Sequence, residues 1–158
     1  MDGTQDIRAD LAITWRPLSG LIPYARNART HSEAQVALIA GSIREYGWTN
    51  PVLVDGANGI IAGHGRVLAA RRLGLAEVPV IELGHLSEAQ RRAYILADNR
   101  LAEQAGWDRE LLALEVADLE ALGVDLLSLG FEAAELAALA DLDPDPREEE
   151  TPAPPDVP

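Results

Sequence analysis

Residues 59–83 read GIIAGHGRVLAARRLGLAEVPVIEL, and few folds accommodate that order. Ile60, Ile61 and Ala62 are apolar, two of them β-branched, and read as the end of a buried strand. Gly63 and Gly65 flank His64 at a sharp turn, after which Val67, Leu68, Ala70 and Leu73 recur at helical spacing beside Arg66, Arg71 and Arg72. Residues 78–81, Val-Pro-Val-Ile, return to a strand, and Pro79 points to a sheet edge or a bulge. Glycine lets the backbone turn tightly and approach a ligand, and the first amides of the helix lack intrahelical acceptors, so the turn can hold an anion. Arg66 can add a guanidinium fork to the same phosphate. On this pattern alone, a tight strand-to-helix turn with a surface arginine is the favoured reading.

The rest of the chain supplies partners for this unit. Residues 11–15 alternate apolar and polar before Pro17 and form a first short strand. The polar segment 27–31, Asn-Ala-Arg-Thr-His, is a loop that carries Arg29 and His31, with Arg26 just before it, to the surface or to a site. Ser32 caps a helix with Val36, Ile39, Ala40 and Ile43 on its buried stripe, and Gly47 ends it. Residues 52–54 and 60–62 form a hairpin across the turn 55–59. Ser87 caps a long helix with Ala93, Leu96, Ala97 and Leu101 at helical spacing. The mid-helix cluster Asp98-Asn99-Arg100 either faces solvent or points into a site, because such residues favour caps over helix interiors. Asp108 caps a further helix ending at Gly123, and a last helix lies near residues 132–140.

Charge is unevenly spread. Residues 1–109 hold twelve arginines against twelve acidic side chains, and residues 110–158 hold one against fourteen, so the net charge of −13 lies in the last third. All thirteen basic residues are arginine, for which GC-rich coding is the simpler explanation. An acidic third disfavours nonspecific attraction to DNA phosphates, so any DNA contact is local or made by a partner. There is no cysteine, which excludes thiol redox chemistry, disulfides and cysteine zinc sites. No run of about eighteen apolar residues and no signal-peptide pattern is present, so a cytoplasmic protein without a membrane partner is expected.

The order of these pieces resembles the N-terminal domain of ParB, the chromosome and plasmid partition protein of the ParB/sulfiredoxin superfamily, over roughly residues 10–105. Residues 42–54, SIREYGWTNPVLV, resemble the family's helix-to-strand segment, in which a glycine is followed by Gln-Pro and an apolar strand. Gly63-His64-Gly65-Arg66, with Ala69 and Ala70, resembles its Gly-Glu-Arg-Arg box, and Asp98-Asn99-Arg100 its Glu-Asn box. The runs 29–55, 60–74 and 97–116 are closer still to ParB-like domains of phage and mobile elements that precede DNA methyltransferases. The resemblance implies an α+β fold: a small mixed sheet with surrounding helices, followed by C-terminal helices. The expected organisation is a flexible N-terminus over 1–9, a nucleotide-binding domain over 10–105, an acidic helical extension over 106–140 and a disordered acidic, proline-rich tail over 141–158.

The same resemblance implies a nucleoside triphosphate, CTP or ATP, with Mg²⁺. Carried over by position, Asn50, Gly63, His64, Gly65, Arg66, Asn99 and Arg100 would bind the nucleotide, Asp98 and Asn99 would lie at the metal, and Asp98 would be the catalytic carboxylate. The implied function is a nucleotide switch or slow NTPase in DNA metabolism, with homodimerisation as in relatives. Asn50, His64, Gly65 and Asp98 stand where the family has Gln, Glu, Arg and Glu, which favours binding over turnover. A noncatalytic module serving a DNA methyltransferase or terminase is the alternative, in which Leu111, Leu112, Leu114, Val116, Leu119 and Leu122 either pack on the body or meet another chain. A ParB-like nuclease would have to draw its metal ligands from His31, His64, His85, Asp55 and Asp98. Free-serine kinase chemistry is disfavoured, because the segment 27–33 offers only Glu33. No glycine-rich cofactor loop or Asp-Pro-Pro-Tyr type motif is present, which excludes methyl transfer by these residues. The acidity and shortness of the segment after residue 110 argue against the helix-turn-helix with which ParB reads DNA.

Overall fold

The computed structural model describes residues 11–27 and 29–142, so the terminus expected over 1–9, and the expected tail from 143 onward, lie outside the described residues. The chain divides into two compact units with the boundary between Ala105 and Gly106.

The first unit is built on a four-stranded mixed sheet in the order β1-β4-β2-β3, with β1 at Ile13–Pro17, β2 at Val52–Val54, β3 at Ile60–Ala62 and β4 at Glu77–Glu82. The expected hairpin is present: β2 and β3 pair antiparallel across the turn 55–59, where Asn58 adopts φ 64°. β4 pairs antiparallel with β1 and parallel with β2. Of the two readings of Pro79, a sheet edge or a bulge, this excludes the edge. β4 is central, and Pro79 is tolerated because β2 pairs with it only from Val80 onward, leaving no ladder on that side at the proline. β1 also begins and ends two residues later than the alternation suggested.

One face of the sheet carries the core. Val52, Val54, Val78 and Val80 are fully buried there with Ile60, against Leu18 and Leu21 from the segment after β1 and Val67 and Ala70 from α2, His64–Leu73. Helix α1, Glu33–Tyr46, starts where expected: the Ser32 hydroxyl accepts from the Gln35 amide, and Gly47 at φ 81° ends the helix. Its residues Val36, Ala40 and Ile43 pack on Ala69 of α2, and Trp48 bridges the two clusters.

Helix α3, Glu88–Gln104, opens with a full capping box between Ser87 and Gln90. Its only buried residue is Ile95. The face proposed from Ala93, Leu96, Ala97 and Leu101 is in solvent, with Leu96 61% and Leu101 66% exposed. Helical spacing identifies a stripe but not which side of a lightly attached helix meets the body.

The second unit contains α4, Arg109–Ala121, capped by the Asp108 carboxylate, a 3-10 turn at Leu126–Leu129, and α5, Ala133–Ala140. α4 and α5 pack on each other, Val116 and Leu139 are buried, and the Trp107 and Phe131 rings stand 6.1 Å apart. Of the expected apolar set on α4, Leu111, Leu114 and Leu122 are exposed. Among the described residues no helix is long and apolar enough to cross a membrane.

Candidate functional site

The turn between β3 and α2 is set by Gly63, at φ 103° and ψ 20°, a left-handed conformation that side-chain-bearing residues rarely adopt. A Cβ there would meet Val52 at an ordinary 3.5 Å, so the requirement for glycine is one of backbone conformation and not of space. At Gly65 the reverse holds. A Cβ would lie 2.9 Å from Ile39 Cδ1 and 3.0 Å from His31 Cε1, so the missing side chain is what lets α1 and the His31 ring close on the turn. Helices α1, α3 and α4 are capped by side chains, but no side chain caps α2, whose first amides face this turn.

Above the turn lies a cleft of about 200 Å³. Gly63, His64, Gly65 and Arg66 form one wall, Asp98 and Asn99 of α3 with Ile95 form another, and Asn27, Arg29 and His31 come from the loop before α1. A wider groove of about 560 Å³ adjoins it, sharing Arg29, Ile95 and Asn99 and adding Thr30, Leu96, Arg100 and Glu103. The structure therefore brings six of the sequence-derived residues, Gly63, His64, Gly65, Arg66, Asp98 and Asn99, to one cavity, and places Arg100 in the adjoining groove, 3.2 Å from Glu103. Asn50 is not among the lining residues; it is exposed, and its carbonyl accepts from Trp48 Nε1 at 2.7 Å. Asn27, Arg29 and His31 were not assigned to the nucleotide site from the sequence, which took Arg29 and His31 to the surface or to a site and named His31 only in the nuclease set. Their loop was recognisable as polar and unpatterned, but nothing local says which cavity it reaches.

His64 is held by a long-range contact: the Tyr24 amide donates to its Nε2 at 3.2 Å. The neutral ring therefore carries its proton on Nδ1. Burial lowers the pKa of His64 below its ordinary value, and the nearby His31 pushes in the same direction. His31 is itself oriented through Nδ1, 2.9 Å from Gln35 Oε1. A folded value below the unfolded 6.5 means that the stabilising effect of His64 is complete above that pH and is lost as pH falls through the folded value. The urea midpoint should drop between about pH 7 and pH 5, and less so in His64→Gln. Equal drops in the two proteins would show that His64 is not the group responsible.

Asp98 and Asn99 meet the minimum for Mg²⁺ held chiefly by a ligand's phosphates, which needs only one or two carboxylates from the protein. Asn99 Nδ2 donates to Ile95 O at 2.9 Å, which leaves its side-chain oxygen available. Among the described residues no group of three or more His, Asp or Glu is placed to hold a metal ion. Of the set named for a nuclease, His31, His64 and Asp98 line the cleft, whereas Asp55 accepts from the Ala57 and Gly59 amides and from Arg91, and His85 is exposed outside it.

The family model for the ParB N-terminal domain matches residues 12–100. The chain belongs to the ParB N-terminal domain family. The YnaK protein of Escherichia coli K12, named a ParB-like nuclease domain-containing protein, is 56% identical over 82 residues, covering 52% of this chain and 94% of that protein. The probable chromosome 2-partitioning protein ParB of Deinococcus radiodurans is 42% identical over 74 residues, and the match spans 25% of its length. In fold, the chain is similar to the C-terminally truncated chromosome-partitioning protein ParB of Caulobacter crescentus, solved in complex with CTP-γ-S. The TM-score is 0.64 at 24% identity, covering 81% of this chain and 76% of that one.

A second model, the ParB-methyltransferase HTH domain, matches residues 110–158. This corrects the sequence argument against a helix-turn-helix there. Caps and apolar positions decide whether such helices form, whereas acidity bears only on what their surface binds. The space beside Gly65 is taken by His31 and Ile39.

Proposed function

We propose that this ParB-type domain binds a nucleoside triphosphate with Mg²⁺ in the cleft above Gly63–Arg66 and acts as a nucleotide-dependent switch in DNA metabolism. The observation that carries the reading is the convergence on one cavity of an uncapped helix start, the Arg66 guanidinium and the Asp98 carboxylate, from elements far apart in sequence. CTP is the first candidate, because the Caulobacter protein of the same fold was solved with CTP-γ-S, and ATP is the second. The amides after Gly63 and the Arg66 fork would hold phosphate, with Nδ1–H of neutral His64 and the side chains of Asn99 and Arg100 as further polar contacts. Asp98 would help to hold the metal, which would offset the negative charge of the phosphates. With one carboxylate in the cleft, retention of ligand is better supported than rapid hydrolysis, and any NTPase activity would be slow. We assign this role to residues 10–105, in a cytoplasmic protein.

A second reading is favoured by the match of residues 110–158 to the ParB-methyltransferase HTH domain. In it the acidic second unit serves as a docking or specificity module for a DNA methyltransferase, and contact with DNA runs through that partner. One experiment separates the two. Calorimetry with CTP, ATP and GTP in the presence of Mg²⁺ is followed by phosphate release with and without DNA. Saturable binding with little or no release is the expected result. Absence of binding for all three nucleotides would defeat the switch and leave the module.

A further inference from the structure

Helix α3 supplies Asp98 and Asn99 to the cleft, yet its apolar attachment to the unit is Ile95. Its other described ion pairs, Arg92–Glu88 and Arg100–Glu103, stay within the helix and cannot place it. Arg91 is different. Its Nη1 donates to Asp55 Oδ2 at 2.9 Å with each side chain only 23% exposed, and its guanidinium lies 5.8 Å from the centre of the Tyr24 ring.

Both partners are themselves fixed. Asp55 Oδ1 accepts from the Ala57 and Gly59 amides at 2.8 Å each, so the carboxylate that receives Arg91 is also the one that closes the β2–β3 turn. Partial burial pushes the Asp55 pKa up, but the Gly59 and Ala57 amides and then Arg91 outweigh it and hold the pKa below its ordinary value. The Tyr24 loop is stitched to the same turn, since Ile22 N donates to Asn58 O at 2.9 Å and Ile60 N to Ile22 O at 2.8 Å. The Tyr24 amide in turn holds His64, the first residue of α2. Arg91 thus joins α3, the hairpin turn and the loop that orients a cleft residue, without lining the cleft.

We infer that Arg91 is a positioning residue: by gripping Asp55 and Tyr24 it seats α3, and with it Asp98 and Asn99, opposite the glycine turn, and keeps the Tyr24 amide on His64. Its effect on ligand affinity rests on the nucleotide reading above; its effects on the helix and on His64 do not.

The test compares the full chain with Arg91→Gln and Arg91→Lys by amide exchange, by NMR titration of His64 and by calorimetry with CTP and Mg²⁺. Arg91→Gln should raise exchange across 88–104 about tenfold while leaving 33–46 protected. It should also move the His64 titration back toward that of free histidine, and weaken CTP binding about tenfold. Arg91→Lys, which keeps a cation for both the carboxylate and the ring, should restore much of each effect. If Arg91→Gln does not fold, Tyr24→Leu, which keeps the ion pair but removes the ring, should show the same shift in His64. Wild-type exchange and wild-type His64 titration in Arg91→Gln would overturn the inference, as would an equal rise of exchange in 33–46 and 88–104. Failure of the unaltered chain to bind CTP would defeat the nucleotide reading, and the exchange and titration data would still decide the role of Arg91.

Discussion

Arg66→Ala should leave the protein folded and reduce its affinity for CTP with Mg²⁺ by roughly ten- to hundredfold, the equivalent of about 1.5–3 kcal/mol for a hydrogen bond to a charged group. Arg66 is the third residue of α2, half-buried, and lines the cleft. The described ion pairs, Arg16–Glu82, Arg91–Asp55, Arg92–Glu88 and Arg100–Glu103, do not include it, so no described carboxylate neutralises it before a ligand arrives. A guanidinium can meet a phosphate through two parallel N–H bonds, whereas the lysine ammonium acts as a point charge, so Arg66→Lys should recover only part of the loss. Because the side chain packs no core, unfolding stability should move by no more than about 0.5 kcal/mol. Calorimetry reads the first effect and urea unfolding the second. Wild-type affinity in Arg66→Ala would remove this residue, and with it the phosphate end of the site, from the assignment.

Ile60→Ala should be the most damaging single truncation in the sheet, costing about 2–5 kcal/mol. Ile60 is 1% exposed, pairs with Val54 in the hairpin and packs among Val52, Val67, Val78 and Val80. Its neighbours are β-branched residues on paired strands, which have few rotamers with which to refill a void. A loss of that size is a large fraction of the roughly 5–15 kcal/mol that holds an ordinary domain folded. Ile60 also lies three residues before Gly63, so loosening β3 loosens the glycine turn that the strand delivers. The measurement is urea unfolding followed through Trp48, which packs on this core. A loss below about 1 kcal/mol would mean that the site collapses around the missing atoms and that the sheet is more plastic than its burial indicates.

The legible parts of this protein were those settled over a few residues. Ser32, Ser87 and Asp108 each accept a backbone amide three residues on, and these caps stood out in the sequence because donor and acceptor share one turn of chain. The β2–β3 hairpin and the left-handed Gly63 are local in the same sense: the turn residues and the backbone conformation they permit are properties of the segment itself. The likeness of Gly63–Arg66 and Asp98–Arg100 to two boxes of one family implies the fold, and the match of residues 12–100 to the ParB N-terminal domain agrees with it.

Tertiary structure decided everything that depends on contacts between distant segments. Pro79 points to an edge or a bulge in the sequence, yet it sits in a central strand, because tolerance of proline depends on where the neighbouring strand begins, and β2 begins to pair only at Val80. Leu96 and Leu101 were as apolar as Ile95, but only Ile95 meets the body, since a helical stripe carries no record of the surface it will face. His31 enters the cleft because Gly65, thirty-four positions later, leaves room for its ring. Tyr24 N donates to His64 across 40 positions, and Arg91 pairs with Asp55 across 36. Sequence alone therefore supplied the caps, the hairpin, the glycine turn and the family, each resting on short-range hydrogen bonds and backbone sterics. The cleft exists only once the sheet brings α2, α3 and the loop before α1 together, because burial and long-range pairing are properties of the packed chain and not of any segment in it.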